Sequence, residues 1–142
     1  VRNLVVVDPV GPTGAWLPGL HDAALALLRG RDREAYEELA AHDPAALAVP
    51  DPAVHSAYAR AFYPAWFADP TLPRLFAPPR SSSATGAAVA ARLRRDGYDW
   101  RDLLRAVRAR SLVLHGEADV LPAEQSRQTA ALLPHARLEV LP

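Results

Sequence analysis

Three short apolar runs punctuate a chain whose remaining pattern is largely helical. Asn3 to Val7, NLVVV, is continuous and rich in valine. That predicts a strand buried on both faces, as in a parallel sheet. Leu112 to His115 predicts a second buried strand, and Arg137 to Leu141 a third, with Leu138 and Val140 on one face. Between the last two, Pro122 to Leu133 predicts a helix with Pro122 in its first turn, closed by a PHA turn. Strand, helix and strand with short connections make the parallel βαβ unit.

The long middle of the chain carries the helical spacing. Asp22 to Leu28 predicts one helix, with Gly30 in the stop position just past its end. Asp32 then reads as the cap of a second helix, whose apolar stripe is Tyr36, Leu39 and Ala40. Asp51 and Pro52 open a third, where Val54, Ala57, Tyr58, Ala61, Phe62, Ala65 and Trp66 share one face. Pro64 falls inside that pattern and predicts a kink or an early stop, because it lacks a donor and crowds the preceding turn. The proline-rich stretch from Asp69 to Pro79 predicts irregular chain. SSSATG, from Ser81, opens a helix that runs through Leu93 and stops near Gly97. Asp99 reads as the cap of a short helix containing Leu103, Leu104 and Val107. The organisation expected is a core strand in 1–10, a helical insertion in 11–97, and a closing helix-strand-helix-strand piece in 98–142. Val1 starts nearly inside one strand and Pro142 follows directly on another, so the chain is expected to be part of something longer.

Composition removes several classes of function. The 142 residues carry 16 basic and 16 acidic side chains, so no concentrated positive field is present to hold nucleic acid or an anionic membrane. No apolar run approaches the roughly 18 residues of a membrane span, and no basic-then-apolar leader opens the chain. The expected location is therefore the cytoplasm. With no cysteine, disulfides, thiolate metal sites and cysteine nucleophiles are excluded. Every basic residue is arginine. Schiff-base chemistry and a phosphate-loop lysine are thus impossible within this chain.

The segment SLVLHGEADVLP, Ser111 to Pro122, places an acidic turn directly after an apolar strand. In open parallel sheets, reacting groups gather at the carboxyl ends of the strands. Gly116 is expected to let the backbone turn sharply there, and Pro122 to fix the exit into the helix. Asp119 is thereby a candidate to orient a histidine and stabilise its imidazolium. A plain turn residue fits the same spacing.

SLVLHGEADVLPAEQSRQTAALLPHARLEVLP resembles the last third of the α/β-hydrolase fold, where a strand entering G-x-x-D delivers the acid of the catalytic triad. GYDWRDLLRAV is similar to that family's lead-in helix, and NLVVVDPVGP to the strand and loop preceding an inserted cap. The overall pattern is most similar to the proline-iminopeptidase-like branch. Arg110-Ser111 departs from it, since relatives often carry a proline entering this strand. The resemblance implies an α/β fold: a partial hydrolase parallel sheet with an inserted helical cap. It implies hydrolysis of an ester or amide bond in a small-molecule ester or short peptide, with no cofactor, by a Ser-Asp-His triad of which this chain holds only Asp119. The order nucleophile, acid, histidine puts the other two members outside the chain, and no G-x-S-x-G is present. Two alternatives stay open: an enzyme of the haloalkane dehalogenase or epoxide hydrolase type, with an aspartate nucleophile, and an inactive homologue or fragment.

Other candidates read as structural. Asp8, in VDP, reads as a turn aspartate before proline; some branches of the family place the acid there, which makes it the competitor of Asp119. His135 lies at the amino end of the last strand, the wrong edge for catalysis. Ser81, Ser82 and Ser83 read as a helix opening. His21, His42, His55 and His115 share no metal-ligand spacing, so no metal is expected. Tyr58, Phe62 and Trp66 are the candidates to roof an apolar substrate pocket, beside their simpler role as cap core. Glu34, Glu37 and Glu38 read as a solvated helix face.

Overall fold

The structure is a computed structural model that describes residues 2–42, 53, 57, 60–69, 71–75 and 83–142. Strands β1 (Asn3–Val7), β2 (Arg110–Gly116) and β3 (Ala136–Leu141) form one parallel sheet in that order. Asn3 lies beside Arg110 and Val7 beside Leu114; Ser111 lies beside Ala136 and Gly116 beside Leu141. The strand flanked on both sides is β2, and its burial alternates as a pleated strand requires. Ser111, Val113 and His115 are buried, while Leu112 and Leu114 on the opposite face are only half-buried.

The helices are α1 (Leu20–Leu27), α2 (Gly30–His42), α3 (Ser83–Asp96), α4 (Arg101–Arg105) and α5 (Ala123–Leu132). Pro122 is the N-cap of α5 rather than part of its first turn, and its carbonyl accepts from the Gln125 amide. Ser126, Thr129 and Leu133 are buried along one side of this segment, at the three- and four-residue spacing of a helix face. The Ser126 hydroxyl bonds His115, so that side meets the buried face of β2.

Several expectations need correction. A run of consecutive valines predicted burial on both faces of β1, yet Val5 and Val7 are 59% and 61% exposed. They share a face of the sheet with Leu112 and Leu114, which are themselves only half-buried. Asp32 is not a cap: α2 begins at Gly30, whose φ of 52° is left-handed, and this puts Asp32 in the first turn. Pro64 acts as expected. Helical residues 60–62 give way to a 3-10 turn, Tyr63–Trp66. Gly97, at φ 65°, ends α3 and donates to the Leu93 carbonyl.

The chain divides into two compact units, Val1–His21 with Tyr98–Pro142, and Asp22–Gly97. Residues 11–21 therefore group with the strands rather than with the helical segment, and the hydrogen bonds show why. The Trp100 amide donates to the Pro12 carbonyl, Thr13 bridges Asp99, and the Tyr98 hydroxyl donates to the Gly11 carbonyl while accepting from the Trp16 indole at 2.5 Å. Burial of the Tyr98 phenol pushes its pKa up, and the Trp16 donor opposes that. The chain packs closely at Gly11: a Cβ there would lie 2.1 Å from Gln125 Oε1, the movable end of its side chain, and 3.0 Å from the Trp16 ring. The second unit has its own core, including Ala24, Leu28, Tyr36, Ala65 and Ala91. No helix among the described residues is long and apolar enough to cross a membrane.

Two stability outcomes follow from the first unit. Val113 is fully buried, so Val113→Ala should lower unfolding stability by about 2 kcal/mol in urea titrations, through lost transfer energy and the cavity left. Thr129 Oγ1 is buried and, among the described residues, has no hydrogen-bond partner. Thr129→Val keeps the shape and removes that unsatisfied hydroxyl, so it should raise stability by about 1 kcal/mol.

Candidate functional site

Polar side chains collect at the carboxyl ends of β1 and β2. Asp8 follows β1 directly and has φ 44°, the left-handed region. For a side chain with a Cβ that backbone costs about 1 kcal/mol, least for Asp and Asn. Its amide still donates to the Leu114 carbonyl at 2.9 Å, which adds one rung to the β1–β2 ladder. The bend brings Asp8 Oδ1 to 2.9 Å from the Gly116 amide, where a strand carbonyl would otherwise sit. The same oxygen lies 3.3 Å from His115 Nδ1.

His115 is 1% exposed and Ser126 is fully buried, with Ser126 Oγ 2.9 Å from His115 Nδ1. Serine, histidine and aspartate are thus in contact, but not as a nucleophilic relay. A relay needs the serine on one ring nitrogen and the acid on the other. Here both meet Nδ1, and the serine is sealed from any substrate. The carboxylate facing Nδ1 favours the tautomer with the proton there, because a lone pair would repel it. This buried string ties β1, β2 and α5 together.

Asp119 sits on the loop from β2 to α5. Its amide donates to the Gly116 carbonyl at 3.0 Å, closing a tight turn, and its Oδ1 accepts from the Leu121 amide at 2.6 Å. Among the described residues nothing donates to Oδ2. Val120 and Leu121, buried at 2% and 5% exposure, anchor the loop beneath it. Partial burial pushes the Asp119 carboxyl above its ordinary 3.8; the Leu121 amide opposes that, the Asp8 charge adds to it, and His115 pulls the other way.

Gly116 has a different role from the one expected of it. It is the last residue of β2, its φ is not left-handed, and a Cβ would meet only the Asp119 Cβ, at 4.0 Å. What it contributes is backbone: its N–H to Asp8 and its C=O to Asp119.

His135 is exposed at the amino end of β3, where its carbonyl accepts from the Ser111 amide. Phe62 and Trp66 belong to the second unit, their ring centroids 6.1 Å apart, with Tyr36 6.0 Å from Phe62. Phe62 is half-buried and Trp66 is 56% exposed. Tyr58, His55, Ser81 and Ser82 lie outside the described residues. Ser83 begins α3. Glu34 and Glu37 lie on the exposed side of α2, with Glu37 paired to Arg33 at 2.9 Å. Among the described residues no group of three His, Asp or Glu side chains is placed to hold a metal ion. No protein-family model matches the chain, and no curated protein matches it.

The buried string escaped sequence reasoning. Asp8 and His115 are 107 residues apart, and only the β1–β2 register brings them together. The legible sign was weaker: two apolar runs, each ending on a polar residue.

A raised carboxyl pKa means that the fold favours the protonated form. The resulting stability is present below the unfolded value of 3.8 and is lost as pH rises through the raised one. Asparagine at 119 carries no charge to desolvate, and its amide oxygen can still accept from Leu121. Asp119→Asn should therefore be as stable as the parent or slightly more so at pH ~7, within about 1 kcal/mol, and the gain should vanish in acid. Urea midpoints measured across pH test this.

Proposed function

We propose that this chain is the carboxyl-terminal part of an α/β-hydrolase that cleaves an ester or amide bond. Asp119 is the acid of its Ser-Asp-His triad, and the segment Asp22–Gly97 is its helical cap. The observation that carries the reading is the carboxylate itself. It stands on the loop leaving the central strand of a parallel sheet, with Oδ1 pinned by the Leu121 amide and, among the described residues, no donor on Oδ2. An acid that must orient an imidazole needs this division: one oxygen to fix the side chain, the other to receive the ring N–H.

The chemistry follows from that placement. The histidine, supplied by chain beyond this segment, donates one ring N–H to Asp119 Oδ2 and turns its other nitrogen toward the serine. As the serine oxygen attacks the carbonyl, its proton passes to the imidazole, and the charge that forms there is held by the Asp119 carboxylate. The proton then goes to the leaving alcohol or amine, and water repeats the sequence on the acyl-enzyme. Desolvation disfavours the Asp119 charge while the site lacks a cation, and an imidazolium beside it reverses that balance.

In the full-length protein, Asp119→Asn should fold normally and reduce kcat toward a p-nitrophenyl ester or an aminoacyl p-nitroanilide by about 10³–10⁴-fold. Near-parental turnover in that variant would remove Asp119 from the triad.

A further inference from the structure

We propose that Asp8 is a positioning residue for Asp119, acting through the backbone of Gly116 and held in place by His115 and Ser126. The proposal deepens the hydrolase reading and rests on it for its consequence in turnover. Its structural part stands independently.

The connection is short and continuous. Asp8 Oδ1 accepts from the Gly116 amide at 2.9 Å, and the Gly116 carbonyl accepts from the Asp119 amide at 3.0 Å. A single residue of β2, Gly116, thus stands between the two aspartates, linked to one through its N–H and to the other through its C=O. Gly116 needs this acceptor because β1 ends its strand pairing at Leu114, two residues short of it. Without Asp8, the last amide of β2 would lose its partner on the β1 side at the point where the Asp119 turn begins. Asp8 adopts a left-handed backbone at a position that is not glycine, and that conformation delivers its carboxylate to this amide.

The far end of the loop is held through His115, which lies beside the same oxygen. His115 Nδ1 lies 3.3 Å from Asp8 Oδ1 and 2.9 Å from Ser126 Oγ, which fixes α5 four residues after Pro122 caps it. The Asp119 loop is therefore held at one end by Asp8 Oδ1 through Gly116 and at the other by the buried contact of His115 with Ser126. Placement on this scale matters for a triad acid, since small misplacements of reacting groups cost large factors in rate. The charges that act on Asp119 are Asp8 from the end of β1 and His115 from β2. From α5 the buried neighbour is the uncharged Ser126.

Two variants separate charge from geometry. In Asp8→Asn, a residue that tolerates the left-handed backbone keeps an oxygen acceptor for Gly116 and loses the charge. In Asp8→Ala, both are lost. The readouts are the carbon-detected NMR titration of the Asp119 carboxyl, the amide proton shift of Gly116, and kcat and KM, all in the full-length protein. Asp8→Asn should lower the Asp119 titration midpoint, keep the Gly116 amide shift, and lose little kcat. Asp8→Ala should move the Gly116 amide upfield and lower kcat by about 10–100-fold with KM nearly unchanged. An unmoved Asp119 midpoint in Asp8→Asn, together with an unmoved Gly116 amide in Asp8→Ala, overturns the proposal. So does a turnover loss in Asp8→Asn as deep as that expected of Asp119→Asn, which would make Asp8 the acid itself. If Asp119→Asn keeps full activity while the NMR shifts appear as stated, the hydrolase assignment fails and the positioning stands. Should Asp8→Ala not fold, the Asp8→Asn titration decides alone.

Discussion

One carboxylate oxygen holds the top of this sheet together. Asp8 Oδ1 receives the Gly116 amide and faces His115 Nδ1, and His115 in turn meets Ser126 on α5. Three elements converge there, and the buried polar groups they bring, His115 and Ser126, are partnered, because an unpaired buried polar atom costs more than a satisfied one contributes. The arrangement exists only because β1 and β2 pair in parallel across a separation of more than one hundred residues. Loop closure over that length is an entropic cost that the apolar contacts of the sheet and α5 must offset.

Those contacts are unevenly distributed. The buried side of β2 carries Ser111, Val113 and His115, and the facing side of α5 carries Ser126 and Thr129, so this layer is polar for a core. Leu121, Val120 and Leu133 supply much of its apolar weight. The opposite side of the sheet leaves Val5 and Val7 largely in solvent. The loop after β1 is fastened by a different means: backbone bonds at Pro12 and Thr13, and the Tyr98 hydroxyl set between Trp16 and Gly11. Asp99 at the same place pairs with Arg101, whose donors hold its carboxyl down at about 2.

The two aspartates at the strand ends show how environment divides identical chemistry. Asp8 spends one oxygen on the Gly116 amide, beside the His115 ring, and acts inward, on the fold. Asp119 spends one oxygen on its own loop and keeps the other open, and partial burial makes its charge responsive to a cation placed beside it. The contact of Ser126, His115 and Asp8 illustrates the converse point. Residue types alone do not make a nucleophilic site; the ring nitrogen used and the access to substrate decide.

Much of this was legible in the sequence. The three strands, the helix from about Pro122 to Leu133, the arrest of a helix at Pro64 and the stop at Gly97 all follow from local pattern. The stereochemical limits of proline, glycine and short apolar runs act within a few residues. Asp119 was legible as a candidate for the same reason, since an acidic turn after a buried strand is a local feature. Tertiary structure decided the rest. It exposed one face of β1, because burial depends on what packs there and not on the valines themselves. It gave Gly116 a role in hydrogen bonding rather than in turning, and it joined Asp8, His115 and Ser126 through a strand register that no local pattern encodes. Sequence determines where a strand ends; only the neighbour paired beside it determines what its last polar groups must satisfy.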